Sequence, residues 1–175
     1  MLSVLTTDQK GAVAEQAITL AAVRLGIGVL RPLVDERYDL VLDLRPGLLR
    51  VQCKWAVRSG GVVSIRTRRC RRGRSGLIHR TYASDEIDAV AGYCAEIDRC
   101  YLLPHEMSVN RAAITLRIDP CINNQQVGIH WAQEYEFEAT IERLYGPIAQ
   151  LGERLRGTQE VGGSIPPGST VRRLF

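Results

Sequence analysis

Residues 38–55 read YDLVLDLRPGLLRVQCKW, and this stretch decides the fold. Tyr38, Leu40, Leu42 and Leu44 alternate with Asp39, Val41 and Asp43, the period of a strand with one buried face. A second alternation sets Leu49, Val51, Cys53 and Trp55 against Arg50, Gln52 and Lys54. Arg45-Pro46-Gly47 between them is a turn signal, so the stretch is predicted to be an antiparallel hairpin with strands over 38–44 and 48–55. It carries a carboxylate, Asp39, on the first strand and Gln52-Cys53-Lys54 at the end of the second.

Upstream, residues 8–25 predict a helix. Ala14, Ile18, Ala21 and Leu25 form an apolar stripe, and Gly26 follows as a stop. Glu15 lies about 100° round from Ala14 at 3.6 residues per turn, on the flank of the buried stripe. A short strand is expected over 27–33.

Downstream, a strand is expected over 62–66, with Val63 and Ile65 facing the core. An exposed Gly- and Arg-rich loop is expected over 68–76. Ser84 can cap a helix with Asp85 and Glu86 in its first turn. Strands are expected at 100–103 and 112–118, a polar loop over Asn123–Gln126, and a last helix over 133–144. The order is helix, strands, helix, strands, helix. It implies an α/β or α+β domain over residues 1–145, with a mixed central sheet flanked by helices.

Composition bounds the function. The chain of 175 residues is 45% hydrophobic and 24% charged, within the globular range. No run approaches the roughly 18 apolar residues of a membrane span, and the N-terminus lacks the pattern of a secretory signal. Five cysteines, an odd number with no C-x-x-C pair, suit reduced thiols of a cytoplasmic protein. They are expected to be small buried hydrophobes. The net charge of +4 is local in origin, because residues 58–80 hold eight arginines and no acid. That concentration points to a polyanionic partner.

The hairpin supplies what metal-assisted phosphodiester hydrolysis needs. A divalent cation such as Mg²⁺ or Mn²⁺ is held by hard oxygen ligands. A water must be activated, and charge on the phosphate oxygens neutralised. Asp39 can be a metal ligand. Gln52 offers an amide oxygen, and Cys53 its carbonyl. Lys54 shares the strand face of Gln52 and can orient the water or stabilise the phosphate. Glu15 can complete the shell from the first helix. Lys54 and Lys10 are the chain's two lysines, against 21 arginines. A compact ammonium is thus kept at position 54 in a protein that otherwise uses guanidinium. Asp43 and Glu36 are fallback ligands. Asp43 reads more naturally as a turn-adjacent carboxylate, His79 as a surface residue and Trp55 as core packing.

Taken together, Glu15, Asp39 and Gln52-Cys53-Lys54 resemble the PD-(D/E)-x-K nuclease core in an E…D…Q-x-K form. KGAVAEQAITLAAVRLGIGVLRP (10–32) resembles the first helix and strand of Holliday-junction-resolvase-like members. RYDLVLDLRPGLLRVQCKW (37–55), with SDEIDAVAGYC (84–94) and CYLLP (100–104), resembles the group I intron-encoded homing endonucleases of this superfamily. The likeness spans roughly residues 10–118. It implies a restriction-endonuclease-like core, with Asp39 as the metal-binding aspartate, Gln52 at the second acidic position, Lys54 as the catalytic lysine and Glu15 as the helical glutamate. Two positions depart from the pattern: Tyr38 stands where the motif has Pro, and Gln52 where it has an acid. The intron-endonuclease branch also uses Gln there.

The resemblance implies a Mg²⁺-dependent DNA endonuclease of homing type. Double-stranded DNA is the expected partner, and a homo-oligomer, dimer or tetramer, is expected because two strands need two sites. A junction resolvase or restriction-like nuclease, and a DNA-binding protein that has lost catalysis, are the alternatives. The segment RTRRCRRGR places Arg66, Arg68, Arg69, Arg71, Arg72 and Arg74 for phosphate contact, with Lys10 as a further DNA contact. From Gly146 the chain becomes Gly/Pro-rich. Residues 148–170 (IAQLGERLRGTQEVGGSIPPGST) resemble translated tRNA-gene sequence, and this tail is expected to be poorly ordered and to carry no chemistry.

Overall fold

A computed structural model describes residues 5–45, 47–73, 76–120 and 127–146; over 69–73 and 77–79 and at 145 the backbone alone is described. Arg74, the Asn123–Gln126 loop and the tail beyond Gly146 lie outside the described residues.

The first helix, α1, spans Thr7–Arg24. Thr6 caps it reciprocally with Gln9: the Thr6 hydroxyl accepts the Gln9 N–H at 3.2 Å, and the Gln9 side chain accepts the Thr6 N–H at 2.9 Å. Ala14, Ile18 and Ala22 are buried, and Ala21 and Leu25 pack beside them, so the expected stripe is the core face. Gly26 takes the positive φ of 74° that ends the helix.

Strands β1 (Gly28–Leu30), β2 (Leu40–Asp43) and β3 (Leu48–Ser59) follow. The predicted hairpin is present, with Leu40 opposite Val51 and Asp43 opposite Leu48. The first strand is shorter than expected, but the Asp39 N–H still bonds Val51 at 2.9 Å. Leu40 and Leu42 are fully buried; each such side chain contributes about 1.5–3 kcal/mol.

Strand β3 organises the sheet. It pairs antiparallel with β2 at its start and with β4 (Val62–Arg66) at its end. On its other edge it pairs parallel with β7 (Ala89–Cys94), through Val51–Ala89 to Ala56–Cys94. Strands β8 (Arg99–Pro104) and β9 (Ala113–Arg117) complete a mixed, mostly antiparallel seven-stranded sheet. Short α2 (His105–Ser108), a 3₁₀ turn (Ala132–Tyr135) and α3 (Phe137–Tyr145) close the described fold. This is the expected α+β, restriction-endonuclease-like arrangement.

The sheet buries both faces. Leu49, Val51, Cys53, Ala89, Ala91 and Leu102 join α1 and α3 in one cluster. Ala56, Val63, Ile65, Val90, Tyr101 and Leu103 build the second on the opposite side. Cys53 and Cys94 are buried free thiols, as expected, and Cys100 is half-buried.

Three expectations are corrected. No helix follows Ser84: residues 84–86 form a single turn closed by the Glu86 N–H on the Ala83 carbonyl at 3.0 Å. Arg50 then anchors this segment through Asp88, whose carboxylate accepts its side chain at 2.8 and 3.0 Å and its N–H at 2.8 Å. The chain is thereby delivered straight into β7. Residues 68–76 are not a loop. Residues 68–73 and Gly76 belong instead to a two-stranded antiparallel ribbon, β5 (Arg68–Gly73) with β6 (Gly76–Thr81), in which Gly73 pairs with Gly76. The last helix also starts later than predicted, because its first turn is 3₁₀.

Candidate active site

Asp39 and Gln52 lie on neighbouring strands and face away from α1, since Leu40, Val51 and Cys53 face toward it. The Asp39 carboxylate accepts the backbone N–H of Cys53 at 2.6 Å and a hydrogen bond from the Gln52 amide. Lys54 follows on the same face as Gln52. Its ammonium donates to the Tyr82 hydroxyl at 3.0 Å and stands 5.4 Å from the centre of that ring. Glu15, on α1, is paired with Arg31 at 3.3 Å, and the charge of Asp39 acts on it.

The electrostatics tie these residues into one site. Burial pushes the Asp39 carboxyl above its usual range, while the Cys53 N–H, the Lys54 charge, the Gln52 amide and Arg31 pull it back. Glu15 is raised by burial first and by the negative charge of Asp39 second, with Arg31 opposing. The Cys53 thiol is pushed well above its ordinary value by burial, with Asp39 and Glu15 adding to the effect. It is therefore a neutral packing group, and only its main chain is available to the site.

Asp39, Gln52, Cys53 and Lys54, with Glu15 coupled to Asp39 through charge, are thus brought together. Asp43 is not. Its carboxylate accepts the Arg45 N–H at 3.2 Å and serves the turn, in which Arg45 takes a φ of 37°. Glu36 is exposed. Trp55 is half-buried, packing edge-on to Tyr93 at 5.9 Å with the Lys10 ammonium 5.8 Å from its ring centre. Lys10 therefore borders the strand of Lys54. Arg66 and Arg68 are exposed at the junction between sheet and ribbon. Arg69, Arg71 and Arg72 fall on β5, in register with Arg80, Ile78 and Leu77.

Sequence reasoning missed Arg31 and Tyr82. Arg31 was legible only as a charge just past a short apolar strand. Tyr82 carries no motif, and its role is visible only once the ribbon returns it to Lys54.

The PD-(D/E)XK endonuclease pattern matches residues 5–138, which include every one of these site residues. The chain belongs to the PD-(D/E)XK endonuclease family. Among solved structures, it is similar to the bacterial homing endonuclease I-Ssp6803I, at 23% identity and a TM-score of 0.62 over 92% of this chain and all of that one. No curated protein matches it by sequence. Among the described residues no group of three or more His, Cys, Asp or Glu side chains is arranged to hold a metal. The donor set is instead two carboxylates with raised proton affinity, an amide and a main-chain carbonyl. All are hard oxygen donors, and the negative charges of Asp39 and Glu15, only partly offset by Arg31 and Lys54, suit a small divalent cation.

Proposed function

We propose that this protein is a Mg²⁺- or Mn²⁺-dependent DNA endonuclease of intron-homing type, its catalytic unit within residues 1–145. The observation that carries the reading is the convergence of Asp39, Gln52 and Lys54 on one sheet face with Glu15 beside them, bordered by Lys10 and the arginine ribbon. Asp39, Glu15, the Gln52 amide oxygen and the Cys53 carbonyl would hold the cation. Its chemistry, when bound, is to polarise the scissile phosphate and acidify a water.

The chain's own residues do the rest. To offer its oxygen to a cation, the Gln52 amide would have to turn over and give up the hydrogen bond it donates to Asp39. Lys54 neutralises charge gathering on the phosphate oxygens. Arg31 restrains Glu15 in its charged form. The ribbon and Lys10 hold the duplex by its phosphates, a mode that weakens steeply with salt. One such site cuts one strand, so a dimer or tetramer would cut both.

Supercoiled-plasmid nicking in Mg²⁺ tests the reading. Wild type should nick, while Asp39→Ala and Lys54→Ala should each lose about 10²–10³-fold in rate. Four-way junctions added as competitor separate a resolvase from a homing enzyme. Binding without cleavage by wild type on every DNA tried would instead favour a DNA-binding protein. The Gln52 amide already engaging Asp39 is the feature that would make such a site inert.

A further inference from the structure

Tyr82 is the first residue after the arginine ribbon, and it is held from three sides. Thr81, before it, pairs with Arg68 across the ribbon's base. Its own carbonyl bonds His105 at 3.0 Å; a carbonyl only accepts, so the His105 Nε2–H donates. Its side chain is 7% exposed and packs in the second core cluster with Ile87 and Val90. What this fixed residue presents to the site is its hydroxyl, 3.0 Å from the Lys54 ammonium.

A lysine side chain has four rotatable bonds, and fixing it costs roughly 1.5–2 kcal/mol of rotamer entropy. A lysine that must meet one phosphate oxygen needs something rigid to set its tip, because catalytic groups act only when held near the productive geometry. In strand β7 the register partner of Lys54 is Gly92, which offers no side chain to confine it. Tyr82 does confine it, by an oxygen acceptor at the tip and an aromatic face along the approach.

We infer that Tyr82 is the positioning residue of Lys54: its hydroxyl fixes where the ammonium stands relative to Asp39. This rests on the nuclease reading above and adds to it a residue outside the E…D…Q-x-K set. Tyr82 itself touches no reacting atom.

Tyr82→Phe keeps the ring and its burial and removes only the oxygen. Nicking at saturating DNA and Mg²⁺ should fall about 10- to 100-fold, while the DNA Kd stays within twofold and the melting temperature is nearly unchanged. A loss confined to turnover marks positioning; a structural role would move stability or DNA affinity with it. A second readout needs no variant at position 82. Lys54 and Lys10 are the chain's two lysines, so Lys10→Arg protein labelled with ¹⁵N-lysine reports Lys54 alone. A hydrogen-bonded ammonium gives a side-chain signal sheltered from solvent exchange, and Tyr82→Phe should abolish that shelter. Equal turnover in Tyr82→Phe and wild type overturns the inference and leaves the nuclease reading intact. So does a freely exchanging Lys54 signal in the Tyr82-containing protein. A wild type that cuts no DNA removes the nuclease reading and this inference with it.

Discussion

The Asp39 carboxylate accepts the main-chain N–H of Cys53 at 2.6 Å, across from a strand that carries Gln52 and Lys54 on either side of that residue. One bond therefore sets the register between this carboxylate and the Gln52-Cys53-Lys54 triplet. The same bond holds a charge in a half-buried place, where desolvation raises its proton affinity despite the bond. Because the folded pKa lies above the unfolded one, the folded chain carries more protons between those two values, and stability falls as pH rises through that window. The penalty is fully present at neutral pH. Asp39→Asn keeps an acceptor for Cys53 and removes the charge. It should raise the melting temperature of the metal-free protein at pH 7. The gain should fade as pH falls below the ordinary aspartate value of 3.8, where the carboxyl is protonated in folded and unfolded chain alike. Thermal melts across pH, paired with loss of nicking, check both halves.

Gln52 is the one departure that changes the charge of the site. Gln52→Glu adds a carboxylate beside Asp39 and Glu15, which strengthens attraction for a divalent cation and adds repulsion when none is bound. The Mg²⁺ concentration for half-maximal nicking should fall roughly tenfold, about 1.4 kcal/mol. The metal-free melting temperature should fall at the same time. A variant that needs as much Mg²⁺ as wild type would show that residue 52 lies off the cation.

Arg31 lowers the proton affinity of both Glu15 and Asp39. Arg31→Ala should raise both, so that more acid must be removed before the carboxylates can take a cation. The acid limb of the nicking rate against pH should move to higher pH, with the rate at the alkaline plateau much less affected. An unmoved acid limb would mean that neither carboxylate governs it.

How far the sequence carried this depended on the kind of residue. The E…D…Q-x-K set was legible because β2 and β3 each alternate cleanly, which fixes the face of every side chain once the turn is recognised. Strand β7 was not. Ala89, Val90 and Ala91 are all buried because the sheet is covered on both faces there, and a doubly buried strand has no period to read. Asp85 and Glu86 imitated a helix start, whereas Asp88 is committed to Arg50. The ribbon was hidden by composition, since glycine is a poor strand former and a run of arginines offers no apolar alternation to read. Arg31 and Tyr82 act through contacts between segments distant in sequence, which no single window displays.

Gly92 shows how closely the two faces are packed at the site's own strand. A Cβ added there would meet the Ile65 Cδ1 at 2.7 Å and its Cγ1 at 2.9 Å. Ile65 is itself fully buried between Ala56 and Ile114 in the register of β3, β4 and β9. It can yield only by shifting into neighbours that are already close-packed. Gly92→Val should therefore destabilise the fold by about 1–3 kcal/mol, measured as a lower denaturant midpoint with an unchanged slope. Gly92 pairs with Lys54 across the parallel strands, so the strain falls next to the lysine. Combining Gly92→Val with Ile65→Val, which removes the Cδ1 that the new side chain meets, should recover stability beyond the sum of the two single changes. Simple additivity of the pair would place the cost of the valine somewhere other than this contact.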